Sequence, residues 1–220
     1  MLPSHILKFL KNLQKNNDRS WFEAHRPAYE NAKADFLVFT QEVIKGFAAF
    51  EPALTELEAK NCTFRINRDV RFSKNKAPYK NNMSAYFNKA GKKGSGAGYY
   101  IHIQPGSSFA AAGVWQPEPS ELAKIRQEID YNFDEWQKLV NNAAFRKNFP
   151  DGFDMSDSLV RPPKGYTEDN PAIDFLKLKS FVIRKTLDDK ALAAPAFAKE
   201  VAKTFQVMQP VIQFMNRALD

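Results

Sequence analysis

The sequence holds almost no cysteine, few histidines and no long apolar run, and each shortage narrows the possibilities. Of 220 residues only Cys62 carries a thiol, so no internal disulfide can form and a reducing, cytoplasmic setting is expected. No segment approaches the roughly 20 consecutive apolar residues of a membrane span. The opening Met1-Leu2-Pro3-Ser4-His5 also lacks the charged-then-apolar order of a secretory leader. No membrane partner is therefore expected. Three histidines and one cysteine, none at ligand spacing with an Asp or Glu, leave no basis for a zinc site, so no metal is expected. A Gly-x-Ser-x-Gly elbow, a kinase signature and a dinucleotide fingerprint are all missing, and no cofactor is expected.

Apolar and aromatic residues are plentiful. A hydrophobic content of 44% with 19 Phe argues against disorder. A chain of this length buries roughly 70% of its unfolded surface, so its core needs no staple. Nothing resembling a linker interrupts it, and a single domain over residues 1–220 is expected. Charge is unevenly spread. Residues 61–100 contain Arg65, Arg68, Arg71, Lys74, Lys76, Lys80, Lys89, Lys92 and Lys93 against Asp69 alone, a local excess of +8 in a chain whose net charge is +7. The rest of the molecule is close to neutral. A local excess of this kind points to an anionic partner.

Hydrophobic periodicity divides the chain into helices, then strands, then helices. Ile6, Phe9, Leu10 and Leu13 recur at helical spacing after Ser4, a candidate N-cap. Asn16-Asn17-Asp18 reads as a turn, and Ser20-Trp21-Phe22-Glu23 has the form of a capping box. Pro27 fits the first turn of a long helix carrying Tyr29, Lys33, Phe36, Phe39, Val43, Phe47 and Phe50. From Asn61 the period falls to two. Residues 62–67, 70–73, 83–88, 99–104 and 108–114 read as strands with connections too short for crossover helices. Helical spacing returns after Pro119, a suitable first helical residue, with one stripe through Ile129 and another over residues 133–145. Phe181–Leu187 reads as one further strand, and Pro210 is expected to kink or split a last helix beginning near Ala196. The expected fold is α+β: an antiparallel sheet of about five strands (residues 62–114) with N- and C-terminal helices packed against it.

The chemistry concentrates between Arg65 and Lys80. Read as an extended strand, Arg65, Asn67, Asp69 and Arg71 share one face, while Phe64, Ile66, Val70 and Phe72 share the other with Arg68. Lys76-Ala77-Pro78-Tyr79-Lys80 follows as a stiff loop, because Pro78 fixes its own torsion and restricts its neighbour. Guanidinium forks and ammonium groups converging there suit a phosphate, sulfate or carboxylate. The expected lining is Arg65, Arg68, Arg71, Lys76, Tyr79 and Lys80, with His102 the weaker candidate for acid–base chemistry beside it. His102 alternates with Tyr100 and Gln104 along its strand, and sequence does not set the register that would bring it to the arginines. The loop Gly91-Lys92-Lys93-Gly94-Ser95-Gly96-Ala97-Gly98 imitates a phosphate loop, but strand rather than helix follows it, and a mobile hairpin loop is expected.

The chain resembles the uncharacterised bacterial and fungal proteins grouped as domain-of-unknown-function family 2461. The resemblance rests on Asn16-Asn17-Asp18-Arg19-Ser20-Trp21-Phe22 and on Arg68 through Lys80 (RDVRFSKNKAPYK). It continues in Gly98-Tyr99-Tyr100-Ile101-His102-Ile103, Gly113-Val114-Trp115-Gln116-Pro117 and Arg161-Pro162-Pro163-Lys164-Gly165-Tyr166. It implies one family domain and brings no activity or catalytic residues with it. Three roles stay open on the residues themselves: binding of a small phosphorylated or carboxylated ligand, binding of nucleic acid by the same surface, and an interaction module without a ligand. Neither an enzymatic activity nor an oligomeric state follows from the sequence.

Overall fold

A computed structural model describes residues 1–89 and 91–219, apart from the side chain of Lys93. The helices α1 (Ser4–Lys15), α2 (Arg19–Ala24), α3 (Arg26–Gly46) and α4 (Ala59–Cys62) precede three strands, β1 (Met83–Phe87), β2 (Gly98–Ile103) and β3 (Ser108–Val114). Then come α5 (Pro119–Tyr131), α6 (Phe133–Val140), α7 (Ala143–Asn148), α8 (Ile173–Leu176), β4 (Phe181–Leu187), α9 (Asp189–Leu192) and α10 (Phe197–Arg217). The fold is α+β, with a four-stranded antiparallel sheet in the order β1-β2-β3-β4 flanked by N- and C-terminal helices. Alternation decides the two faces of each strand. Met83, Ala85 and Phe87, then Tyr99, Ile101 and Ile103, then Ala110, Ala112 and Val114 are buried on the core side.

The chain forms two compact units. The first comprises Met1–Lys93, Tyr100–Ala110 and Thr186–Lys203. Its α1 buries the predicted stripe Ile6, Phe9, Leu10 and Leu13, and α3 buries Phe36, Phe39, Val43 and Ile44. Ser4 is the first helical residue rather than the cap, since Pro3 occupies that position without a side-chain bond. The expected Ser20 box is likewise replaced. Asp18 caps α2, its carboxylate accepting from the Trp21 amide at 2.9 Å and from the Ser20 hydroxyl at 2.7 Å. A single carboxylate oxygen, Oδ1, accepts from both donors, and the Ser20 hydroxyl is spent on the cap instead of providing it. Phe47 follows α3 directly and packs on Phe87 of β1, centroids 5.4 Å apart, which seats this helix end on the core face. Gly46 lets the helix come close to α10, because a Cβ there would strike that of Ala202.

Residues 62–80 depart from the strand reading. They form an irregular hairpin whose arms are joined by a single bridge, Asn67 to Tyr79, and which is tied to β1 by another, Thr63 to Ala85. The amides of Arg68 and Lys80 donate to the carbonyls of Pro78 (2.9 Å) and Ile66 (2.8 Å). Of the apolar face expected there only Ile66 is buried; Phe72 is 95% exposed. Side chains outcompete a ladder in this stretch. Asp69 accepts from the Arg71 amide and Asn75 from the Ala77 amide, and Pro78 has no amide to give. The sheet therefore draws its fourth strand from residues 181–187 instead of 62–73.

The second unit comprises Gly94–Tyr99, Ala111–Lys185 and Thr204–Asp220. Its centre is Trp136, fully buried and ringed by Phe153, Phe175, Phe181 and Phe214 at centroid distances of 5.0–6.4 Å. Arg217 clasps Glu128 of α5 and Glu135 of α6, each at 2.8 Å. The stripe expected over 133–145 is two helices, interrupted where Asn142 turns to cap α7 through the Ala144 amide. Pro210, in contrast, leaves α10 unbroken. Both Pro210 and Gln206, whose carbonyl would otherwise accept from the amide that proline lacks, are exposed residues. At Gly113 of β3 the backbone has φ +135°, and a Cβ there would run into the Phe181 carbonyl of β4.

Candidate functional site

The six basic-loop candidates separate into those spent on the fold and those left over. Arg68 is half-buried, with Nη1 donating to the Ala77 carbonyl at 2.9 Å and Nη2 to the Ser73 hydroxyl at 3.3 Å. It closes the hairpin tip. Lys76 does the same from the other side, its ammonium donating to the Val70 carbonyl at 3.0 Å. Arg71 is exposed and forks onto its neighbour Asp69, with Nη2 2.7 Å from one carboxylate oxygen. That bond, with the Arg71 amide and the nearby Arg65, holds the Asp69 carboxyl below the usual range. Tyr79 is 6% exposed and stacks on Phe22 at 4.0 Å, so it is a packing residue. Its amide donates to Asn17 Oδ1 (3.1 Å) and its carbonyl accepts from Asn17 Nδ2 (3.0 Å). The segment Asn16-Asn17-Asp18 thereby clamps the loop.

Arg65 and Lys80 remain. Among the described residues no carboxylate stands within ion-pairing distance of either. Lys80 is half-buried, its ammonium 5.4 Å from the centre of the Phe64 ring. Burial, and then the charge of Arg65, pull its pKa below the ordinary lysine value. Buried cations are normally paired; this one has a second cation for company.

Beside it, on the face of the sheet opposite the core, runs a chain of hydrogen bonds. The Tyr100 hydroxyl lies 3.0 Å from His102 Nδ1, and His102 Nε2 lies 3.1 Å from Gln104 Oε1. Gln104 Oε1 only accepts, which assigns the imidazole proton to Nε2 and leaves Nδ1 to accept from Tyr100. Ser84 of β1, 4% exposed, completes the chain with a bond to the Tyr100 oxygen. Phe109 of β3 stacks on the imidazole at 4.7 Å, and Phe64 meets Tyr100 edge-on at 6.3 Å. Burial lowers the His102 pKa, Gln104 raises it and Lys80 lowers it again. Burial raises that of Tyr100. At neutral pH the site thus presents a neutral imidazole, a neutral phenol and two cations.

The alternation of Tyr100, His102 and Gln104 was visible in sequence; their neighbours Ser84 and Phe109 depend on strand pairing, and Lys80 and Phe64 on the path of the hairpin. His102 does not share a sheet face with Arg71, because Arg71 lies on the hairpin tip and not on a strand. In the glycine-rich loop Lys92 donates to the Thr63 carbonyl at 2.8 Å, and Asn216 holds the Ala97 amide at 2.8 Å. The side chain of Lys93, part of the basic block, lies outside the described residues. Among the described residues no three His, Cys, Asp or Glu side chains gather as a metal site, and no helix is long and apolar enough to cross a membrane.

No curated protein and no solved structure matches the chain. A family model does, described as conserved hypothetical protein (DUF2461), over residues 5–214. Nearly the whole chain is covered, including the Asn17 clamp, the basic hairpin and the Tyr100-His102 strand, and the protein belongs to the DUF2461 family.

Proposed function

We propose that this protein binds a small oxyanion, a phosphorylated or carboxylated molecule, at Lys80 and Arg65 on the outer face of the sheet. The observation that carries this reading is the half-buried Lys80 ammonium whose charged neighbour is another cation. An isolated buried charge is costly, and evolution retains such groups where a ligand completes them. A bound anion would relieve both the desolvation of Lys80 and its repulsion from Arg65. Phe64 supplies an apolar wall, and Tyr100 supplies a hydroxyl within the same group of side chains. The lining is thus narrower than the basic block: Lys80, Arg65, Tyr100 and His102 rather than Arg68, Arg71, Lys76 and Tyr79.

Calorimetry with inorganic phosphate tests the assignment. Lys80→Met should weaken binding by tenfold or more, of the order of a lost charge-assisted hydrogen bond. Arg71→Ala should leave affinity unchanged. Equal affinity in wild type and Lys80→Met would overturn the reading.

A further inference from the structure

We propose that Ser84, Tyr100, His102 and Gln104 form a proton-coupled relay of hydrogen bonds, through which the oxyanion site takes up one proton at His102 Nδ1 with its ligand and turns the Tyr100 hydroxyl hydrogen towards a ligand oxygen. This rests on the anion-binding reading of Lys80 and Arg65 and adds to it the protonation state of the bound complex.

The argument begins with donors and acceptors. In the neutral state every hydroxyl and imidazole hydrogen in the chain is committed. Ser84 bonds the Tyr100 oxygen, Tyr100 donates to Nδ1 at 3.0 Å, and Nε2–H donates to Gln104 Oε1 at 3.1 Å. No hydroxyl hydrogen is left for a ligand. Adding a proton at Nδ1 reverses one bond. Nδ1–H now donates to the Tyr100 oxygen, and the phenolic hydrogen must turn away from the imidazole. Gln104 Oε1 keeps accepting from Nε2–H, so the imidazolium stays satisfied on both sides. The released Tyr100 hydrogen is then available to an acceptor beside Lys80. Nothing is oxidised or broken; one proton enters from solvent and one hydrogen bond changes direction.

The charges around His102 decide when this happens. Tyr100 on its own strand, Gln104 just past the end of that strand, and Ser84 and Phe109 on the adjacent strands are neutral. From the hairpin, Lys80 acts on it as a cation, and Arg65 acts in turn on Lys80. Burial and Lys80 keep the imidazole neutral in the empty site. An anion over Lys80 reverses the local field, and an imidazolium then gains a negative neighbour. Ligand and proton therefore favour each other, and by linkage each tightens the other. The chemistry selects ligands carrying a hydrogen-bond-accepting anionic oxygen, as phosphate monoesters, sulfates and carboxylates do.

The test uses sulfate, which stays a dianion across the relevant range and adds no titration of its own. Calorimetry between pH 5 and pH 8 should show affinity rising as pH falls, by up to about tenfold per pH unit, the limit for one proton. Heats in buffers of different ionisation enthalpy should report up to one proton taken up. His102→Gln should abolish the uptake and flatten the profile. Tyr100→Phe should lose the low-pH gain and keep the weak, Lys80-dependent binding. In wild type, where folding is not at issue, the His102 ring nitrogens followed by NMR should move from the neutral to the imidazolium pattern on adding sulfate at pH 6. Sulfate binding with no proton uptake, or uptake that survives His102→Gln, overturns the relay alone. No sulfate binding at any pH overturns the anion-binding reading and the relay with it.

Discussion

Replacing Arg68 by alanine removes two hydrogen bonds that span the hairpin tip, to the Ala77 carbonyl at 2.9 Å and the Ser73 hydroxyl at 3.3 Å. The first is short and charge-assisted, a class worth about 1.5–3 kcal/mol. The second is long and adds little. The Ala77 carbonyl is only half-buried and recovers some water, which favours the lower part of that range, about 2 kcal/mol. For a chain of this length about 2 kcal/mol corresponds to a drop of roughly 4–8 °C in Tm. Urea unfolding followed by circular dichroism should show a lower midpoint with an unchanged slope. Arg71→Ala is the control. Its fork onto Asp69 is exposed, exposed pairs contribute little, and its midpoint should match the wild type. An Arg68→Ala protein as stable as wild type, or an Arg71→Ala protein destabilised as much, would refute the division between structural and solvated arginines.

Gly113→Ala should be poorly soluble or lose more than about 3 kcal/mol, since the new methyl meets the Phe181 carbonyl and φ is +135°; wild-type-like expression and urea midpoint would contradict the close approach of β3 and β4. The Cys62 thiol is pushed up to about 11 by burial, against a downward pull from Lys92, so about one molecule in a thousand carries thiolate at pH 8. Disulfide reagents should modify it only as the protein unfolds, and rapid stoichiometric labelling of the native protein would disprove its burial. Because the folded state holds His102 below its ordinary pKa, its contribution to stability is present above about pH 6.5 and is lost as pH falls through the depressed folded value. The wild-type urea midpoint should therefore decline more than that of His102→Gln between pH 7 and pH 5. Parallel curves would show that the imidazole environment is not discriminating.

Long-period features were legible in the sequence and side-chain contests were not. The stripes Ile6-Phe9-Leu10-Leu13 and Phe36-Phe39-Val43 are buried as their spacing predicts, and the alternation of residues 83–88, 99–104 and 108–114 became strands. Those patterns rest on how many apolar groups a face can bury, which sequence states directly. The segment 62–73 alternates equally well, yet Asp69, Asn75 and Arg68 offer its backbone bonds that a ladder would have to displace. Likewise a row of arginines is visible in any sequence, whereas their partners are not. Arg68 found a carbonyl and Arg71 an acid two residues away, while Lys80 found neither. His102 was read from its strand position, but its surroundings come from Ser84, which strand register delivers, and from Lys80, which the irregular hairpin delivers.

The carboxamide of Asn17 grips both the amide and the carbonyl of Tyr79, one residue before Lys80 and 62 positions away along the chain. The coordinates of that lysine are thus referenced to the turn between α1 and α2 as well as to the sheet. On the proposed anion-binding reading, the amino-terminal helical hairpin therefore helps to set where Lys80 stands, although it contributes no atom to the site itself.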